Sequence, residues 1–202
     1  MAIHTWPAVH IPKLAHQRVI TNGRANDSAE SGVTQTVTRP GGRWGLSITM
    51  RAQPNEARED FEGYLVGLNG REHRLRIYDW KRRRPRGTCN LTGVTLGADA
   101  AQFATTATLA GCGAGKTLLR GDWIGFSSGQ LCRITADATA DGAGAMTITF
   151  QHSLRTALTS GAALTLDKPT ALYILTEPII EFPRQPGPVQ PEFGFDLIEV
   201  FA

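Results

Sequence analysis

Apolar and polar residues alternate along much of the chain, and this alternation predicts β-strands. In residues 32–38, GVTQTVT, valines alternate with polar side chains, and in residues 43–50, RWGLSITM, every second residue is apolar. A period of two is typical of a strand with one buried face. The intervening RPGG favours a turn, because proline fixes one backbone dihedral and glycine accepts positive φ values. We therefore expect a β-hairpin over residues 32–50.

The residues before this hairpin predict less regular structure. Residues 8–20, AVHIPKLAHQRVI, have the apolar content of one or two short strands, which Pro12 interrupts. Residues 21–32, TNGRANDSAESG, are polar and rich in residue types that favour turns. We expect this second segment to be a loop.

A segment with helical spacing follows the hairpin. Residues 54–70, PNEAREDFEGYLVGLNG, begin with proline, carry acidic residues near the positive end of the helix dipole and end in Asn-Gly. The apolar residues that share one face of this helix are Ala57, Phe61, Tyr64, Leu65 and Leu68. We expect this face to pack on a sheet, because two internal glycines each lower intrinsic helix stability by about 1 kcal/mol relative to alanine. Residues 72–80, EHRLRIYDW, predict the next strand.

The composition changes after the basic run KRRRPRG, residues 81–87, which places a domain boundary near residue 84. The segments beyond it that predict strands are residues 101–109, 122–126, 130–137, 145–151, 163–167 and 171–175. Regularly spaced strands separated by turns such as residues 136–145, ADATADGAGA, favour a small barrel or sandwich. A proline-rich connector, residues 181–194, precedes a last strand in FGFDLIEVFA.

Composition and charge narrow the possible functions. The 202 residues are 41% hydrophobic, which is enough for a core, and carry a formal net charge of +3. The basic excess is concentrated in residues 81–86 rather than spread over a surface, which is unlike a nucleic-acid-binding protein. An apolar run of about eighteen residues is absent from the sequence, as is a charged leader with an apolar core. We therefore expect no membrane span, no signal peptide and synthesis in the cytosol.

Residue types that bind metals or perform catalysis lack the necessary spacing. Cys89, Cys112 and Cys132 are odd in number and have no C-x-x-C spacing, so we interpret them as free thiols. The five histidines are scattered, and the Asp-Gly turn near residue 141 lacks the glutamate that completes a calcium loop. The serines have no G-x-S-x-G setting. The sequence therefore predicts no catalytic residue, no cofactor and no metal.

One stretch has a partial phosphate-binding pattern. Residues 110–117, AGCGAGKT, match G-x-x-x-x-G-K-[ST] except for Ala110. A working loop opens a helix whose N-terminus favours the phosphates, but only three residues separate Thr117 from the strand-like GDWIGF segment. We therefore predict a loop between strands, and keep nucleotide hydrolysis as an alternative that depends on Lys116.

Six residues are candidates for interaction with a partner. They are Lys81, Arg82, Arg83, Arg84, Trp44 and Trp123. The basic run is either a solvated linker, which we favour, or a source of salt bridges between subunits. The two tryptophans either line a sugar-binding face or, as we favour, pack in the core of a strand pair.

Seven short motifs follow one another along nearly the whole chain. In order they are RPGGRW.LSITM, A..DFEGYLVGLNG, RLRIYD, PRGT, LLRGDWIGF..GQLCRITAD, TITFQHSLR and FGFDLIEVF. This order resembles that of the distal tail proteins of siphophages. The motifs consist of turn residues and apolar spacing rather than catalytic signatures, so the resemblance is one of architecture.

The resemblance implies a mainly β fold and a structural function. We expect a split β-barrel or sandwich with one packed α-helix over residues 1–84 and 181–202, with a returning C-terminal strand, and an inserted small β-barrel domain over residues 85–180. Distal tail proteins form a hexameric ring between the tail tube protein and the tail hub protein. The resemblance therefore implies a virion protein of the tail tip, assembled in the host cytoplasm, with no enzymatic activity and no sequence-specific contact with DNA.

Two other functions remain as alternatives to a distal tail protein. Tail-tube and terminator proteins have related barrels and also form rings. A carbohydrate-binding module that recognises the host would use exposed aromatic side chains, with Trp80 and Trp123 as candidates.

Overall fold

A computed structural model describes residues 1–27 and 32–201, and within them the fold is mainly β, as predicted, with one α-helix. The helix, α1, spans Asn55–Val66. The strands are β1 (Ile3–Thr5), β2 (Leu14–Asp27), β3 (Thr34–Met50), β4 (Gln53–Pro54), β5 (Arg74–Tyr78), β6 (Thr95–Leu96), β7 (Thr106–Ala110), β8 (Thr117–Leu118), β9 (Trp123–Phe126), β10 (Leu131–Ile134), β11 (Ala138–Thr139), β12 (Met146–Gln151), β13 (Leu164–Thr165), β14 (Thr170–Leu175), β15 (Val189–Gln190) and β16 (Phe193–Glu199).

The chain divides into two compact units. Unit 1 comprises Met1–Arg18, Trp44–Trp80 and Thr170–Ala202, and unit 2 comprises Val19–Arg43 and Lys81–Pro169. The boundary predicted near residue 84 is close to this division. The predicted end of the inserted domain at residue 180 differs from it, because β14 pairs with β5 and β16 and therefore belongs to unit 1. Residues 19–43, predicted to lie in the first domain, cluster with unit 2.

The first sheet contains six strands in the order β1-β5-β14-β16-β3-β2. β1 pairs parallel with β5, whereas β5 with β14, β14 with β16 and β16 with β3 pair antiparallel. The register sets Phe193 opposite Met50 and Leu197 opposite Leu46. Alternate residues of β16 are buried, which is the expected pattern for a strand with one face on the core. The last strand therefore lies in unit 1.

The helix α1 begins directly after Pro54 and ends at Gly67, close to its predicted limits. Phe61, Leu65 and Leu68 are buried, as its spacing predicts. Two charged residues, Arg58 and Glu62, are buried beside them, and the apolar pattern did not indicate this.

A buried ion pair joins these two charged residues. Arg58 Nε donates to Glu62 Oε1 at 2.6 Å, and the side chains are 1% and 9% exposed. The guanidinium carbon of Arg58 lies 3.8 Å from the ring centroid of Phe193, and Arg58 Nη1 donates to the Pro191 carbonyl at 3.2 Å. On the outer side, Arg184 Nη2 donates to Glu62 Oε2 at 2.6 Å. The pair therefore ties the helix to the last strand and its connector.

β2 and β3 form one long hairpin instead of the predicted short one. β3 runs without a break through Pro40, so the predicted RPGG turn is wrong. β2 begins after Pro12 and continues to Asp27, so the loop predicted over residues 21–32 is also wrong as far as residue 27, and its residues 28–31 lie outside the described part. Proline fits here because β16 pairs with β3 only over residues 45–50, which leaves Pro40 in a two-stranded ribbon with an open edge among the described strands.

Unit 2 contains a second six-stranded sheet, in the order β13-β9-β10-β12-β7-β6, that curls into a nearly closed barrel. Its two end strands meet, because Leu96 N–H donates to the Ala162 carbonyl at 2.9 Å and Leu164 N–H donates to the Val94 carbonyl at 3.1 Å. The fully buried side chains of its core include Leu109, Cys112, Leu118, Ile124, Ile148, Leu154 and Leu166. The predicted small β-barrel is therefore present, and closure removes most of its strand edges.

His152 is buried in unit 2 against residues at the base of the hairpin. A Cβ atom at Gly42 would overlap the imidazole ring, so only glycine fits there without a shift. The Arg155 guanidinium donates to the Gly42 carbonyl. Burial, and after it the positive charge of Arg155, lower the pKa of His152 below its ordinary value. The imidazole is therefore neutral in the folded protein near neutral pH.

We expect unit 2 to lose stability as the pH falls below about 6.5, the ordinary pKa of an unfolded histidine. Below that value the unfolded chain binds a proton that the folded chain accepts only at lower pH, so the free energy of unfolding declines. Above it, the contribution of His152 is fully present. The measurement is urea unfolding on both sides of this pH. A His152→Gln variant serves as the control, and an unchanged pH dependence in that variant would contradict the assignment.

Candidate interaction surfaces

Most of the distal part of the long hairpin is exposed; the exceptions are Gly42, which packs against His152, and the half-buried Gly41. We call residues 19–27 and 32–43 the arm. Every residue of β2 except Gln17 is exposed, including its apolar side chains. Val19, Val33 and Val37 are each more than half exposed. Val19 and Val37 lie in strands, and exposed apolar side chains on neighbouring strands are typical of a surface that another protein covers.

The arm also presents a long strand edge. β2 lies at one end of the sheet order and has 14 residues, whereas β1, at the opposite end, has 3. A long edge strand offers a row of backbone N–H and C=O groups that another strand can pair with, and monomeric proteins shorten, charge or cover such edges. The arm therefore combines two features of an assembly surface, an open edge and exposed apolar side chains.

An open groove of about 550 Å³ lies on unit 1 beside β3 and β16. Its lining contains three carboxylates, those of Glu177, Glu181 and Asp196, and no lysine or arginine. Ile179 is also part of the lining and is 73% exposed. Asp196 pairs with Arg18 at 3.2 Å, while Glu177 and Glu181 are exposed and take part in no ion pair within residues 1–27 and 32–201. We call this feature the acidic groove.

The predicted basic candidates lie together at the start of the second segment of unit 2, Lys81–Pro169. This basic segment consists of Lys81, Arg82, Arg83 and Arg84. Arg82 is half-buried and the other three residues are exposed. Arg84 Nε pairs with Asp167 Oδ1 at 3.0 Å, and the Arg83 carbonyl accepts a hydrogen bond from the Lys168 N–H at 2.6 Å. The main chain of the segment is therefore held in place while its charges stay at the surface.

The two tryptophans singled out from the sequence lie in cores. Trp44 is 2% exposed, and its backbone N–H donates to Glu199 Oε2 at 2.9 Å. Trp123 is 3% exposed, with the guanidinium carbon of Arg133 5.1 Å from the centroid of its ring. Neither ring offers the open face that sugar stacking needs. Both therefore act through packing within their own units.

The phosphate-loop pattern has no helix beside it. Residues 111–116 connect β7 to β8, and Thr117 begins a two-residue strand. Lys116 Nζ donates to Asn90 Oδ1 at 2.6 Å. The stretch is thus a loop between strands, as predicted, and its lysine holds a neighbouring loop of the barrel.

The three cysteines are free thiols, as predicted, and all three are buried. Hydrogen bonding to Cys112, and after it burial, raise the pKa of the Cys89 thiol. A thiol held in its protonated form inside a core is a poor nucleophile. Cys89 therefore contributes to packing in the barrel.

The chain matches no protein-family model and no curated protein, so these comparisons assign it to no family. The described residues contain no group of histidine, cysteine, aspartate or glutamate side chains arranged to hold a metal ion. Among the same residues, no helix has the length and apolar character needed to cross a membrane.

Two of these surfaces were not identified from the sequence. The arm was missed because its proline and glycines favoured a turn. The acidic groove was missed because its carboxylates come from separate segments, although the stretch EPIIE, residues 177–181, carries a local signal. Its acidic ends flank two isoleucines, and such a pattern at the surface indicates a mixed apolar and acidic site.

Proposed function

We propose that this chain is a structural virion protein of a tailed bacteriophage, a distal tail protein that forms a ring joining the tail tube to the tail-tip hub. The observation that carries the proposal is the arm, a long hairpin with exposed valines and an open edge. The motif order that resembles siphophage distal tail proteins supports it. The returning strand β16 and the inserted barrel agree with the architecture of that family.

An open edge and an apolar patch on a repeated subunit favour head-to-tail assembly. When one surface of a copy binds a different surface of the next copy, the contact repeats until the rotation closes a ring. Closure then covers in every subunit the surfaces that an isolated chain leaves exposed to water. The resemblance supplies the number six, and the tail tube and hub proteins are the neighbours above and below.

A ring of this kind needs no chemistry at its lumen. DNA that crosses a tail during injection must not be held there, and bound phosphates would slow it. The proposed function therefore includes neither sequence readout nor catalysis.

The mass of the purified protein in solution tests the proposal. We expect light scattering after size exclusion, over a concentration series, to show a hexamer or a series of species that converges on one. Addition of tube or hub protein should draw the ring into a larger complex, which distinguishes a distal tail protein from a tail-tube or terminator protein. A chain that stays monomeric at every concentration and also fails to join tube or hub would overturn the proposal.

Replacing Val19 and Val37 together by glutamate should weaken assembly by at least about tenfold. The change places charges on exposed apolar positions of the arm, where each buried charge without a partner costs well over 1 kcal/mol. The concentration at half-assembly gives the effect directly. Thr156→Glu with Thr159→Glu adds the same charge at two exposed positions of unit 2 and should leave assembly unchanged. Equal weakening by both pairs would show that net charge, and not the arm, decides assembly.

A further inference from the structure

The acidic groove and the basic segment carry opposite charge on one molecule. The groove presents three carboxylates and no basic residue, with exposed Ile179 among them. The run KRRRPR, residues 81–86, contains five basic residues in six, of which Arg84 pairs with Asp167 and Arg86 with Asp122. The chain therefore carries one patch of each sign although its net charge is only +3. Patches of opposite charge give an association its orientation and its rate more than its total strength.

We infer that the basic segment of one copy binds in the acidic groove of the next copy around the ring. This inference rests on the proposed ring function and names a contact that holds the ring together. The two surfaces are different parts of the same chain, so their contact is head-to-tail, which is the kind that closes rings.

The repetition of the basic segment around a ring favours a second copy of this chain as its partner. Around a ring of identical subunits the basic segment recurs once per copy, and like charges repel unless carboxylates lie between them. The groove supplies two exposed carboxylates, Glu177 and Glu181, that no ion pair within the described residues occupies. The aliphatic stems of lysine and arginine cover apolar surface while their charges reach carboxylates, which suits a groove containing Ile179.

Two charge-reversed proteins test the contact. The groove-reversed protein carries Glu177→Lys and Glu181→Lys, and the segment-reversed protein carries Lys81→Glu, Arg82→Glu and Arg83→Glu. In the first, groove and segment are both basic. In the second both are acidic, because the one cation left in the basic segment, Arg84, pairs with Asp167. Each alone should assemble at least about tenfold less readily than the wild type, because like charges then face each other. The assays use full-length, nuclease-treated protein and light scattering over a concentration series.

An equal mixture of the two reversed proteins is the decisive sample. The acidic segment of one protein then meets the basic groove of the other, and the remaining pair is complementary as well, so an alternating ring should form at wild-type concentrations. A segment that folds back onto the groove of its own chain cannot be restored by mixing. Wild-type assembly should also weaken with added salt, since exposed ion pairs are screened over about 8 Å at physiological ionic strength.

Matched variants control for charge alone. Arg51→Glu with Arg71→Glu and Arg76→Glu, and Glu56→Lys with Glu59→Lys, make the same charge changes at exposed positions of unit 1 outside the groove and should assemble like the wild type. If the wild type forms a ring neither alone nor with tube or hub protein, or forms one only with nucleic acid present, both the ring function and this contact fail. If the wild type forms a ring and the reversed proteins form it equally well, or the mixture does not recover, this contact alone is overturned.

Discussion

The Glu62→Ala variant is expected to lose about 3–5 kcal/mol of unfolding free energy in unit 1. Removing the carboxylate leaves the Arg58 guanidinium, which is 1% exposed, as a buried charge without its main partner. Breaking a buried pair from one side typically costs this much, because the charge that stays pays its desolvation without compensation. Arg184 also loses its carboxylate partner, but it is 67% exposed and water replaces that contact.

Fluorine NMR of protein labelled with 5-fluorotryptophan measures this loss within one unit. Trp6, Trp44 and Trp80 belong to unit 1 and Trp123 to unit 2, so urea titration follows each unit through its own signals. Glu59→Ala, at an exposed position of the same helix, should change the unfolding free energy by less than about 0.5 kcal/mol. A double variant, Arg58→Leu with Glu62→Leu, should lose less than Glu62→Ala alone, because it removes both charges. A loss below 1 kcal/mol in Glu62→Ala would contradict this account of the pair.

The helix itself was predictable from the sequence, whereas this ion pair was not. The spacing of Phe61, Leu65 and Leu68 indicates one buried face, and those residues are buried. Arg58 and Glu62 lie beside that face at i and i+4, a spacing that is equally typical of a solvated pair on a helix surface. What buries them is the connector and the ring of Phe193, more than 120 residues further along the chain. Local patterns do not contain that information.

The strands of the barrel were predictable for a similar reason, and the long hairpin was not. AMTITFQ alternates apolar and polar residues, and DWIGF is a short run rich in apolar residues. Both patterns can be recognised locally, and both segments contain strands. In the arm, Pro40 and the two glycines after it favour a turn by every local rule. They lie within β3 in a stretch that pairs with β2 and that β16 does not reach, and proline is tolerated in strands with an open edge. Sheet position, which depends on the whole fold, overrides the local preference.

Some of the candidate surfaces could likewise be predicted from the sequence, and others could not. The basic segment was visible as a charge run, and the structure adds only that its main chain is held beside Asp167 and Lys168. The acidic groove exists because β3, the residues after β14, and β16 come together. Trp44 and Trp123 were ambiguous in the sequence, since a strand tryptophan faces either a core or a ligand, and burial decides between the two.

Substitution of Asp122, in the turn before β9, is expected to destabilise the protein as much as breaking the buried ion pair. The Asp122 side chain is fully buried, and its carboxylate accepts hydrogen bonds from three backbone N–H groups. The donors are Arg86 at 2.8 Å, Leu119 at 2.9 Å and Gly87 at 3.1 Å. One side chain thus fastens the entry segment of unit 2 to the turn before β9. A Cβ atom at Gly87 would overlap the Thr117 carbonyl, so the main chain at Gly87 packs too closely against Thr117 for any side chain to fit there without a shift.

Asp122→Ala should therefore destabilise unit 2 by about 3–5 kcal/mol. Hydrogen bonds to a charged group contribute roughly 1.5–3 kcal/mol each, they are not additive, and donors left in a buried turn pay their desolvation cost. The Trp123 signal in a urea titration measures the loss, with the three tryptophans of unit 1 as internal references.

Asp141→Ala is the matched control. The Asp141 carboxylate also accepts hydrogen bonds from two backbone N–H groups, those of Ala143 and Ala145 at 2.9 Å, but it does so in an exposed turn where water replaces the carboxylate. We expect that variant to lose about 1 kcal/mol or less. Equal losses in the two variants would mean that Asp122 is an ordinary turn residue, and that the main-chain bonds around it suffice to hold the corner.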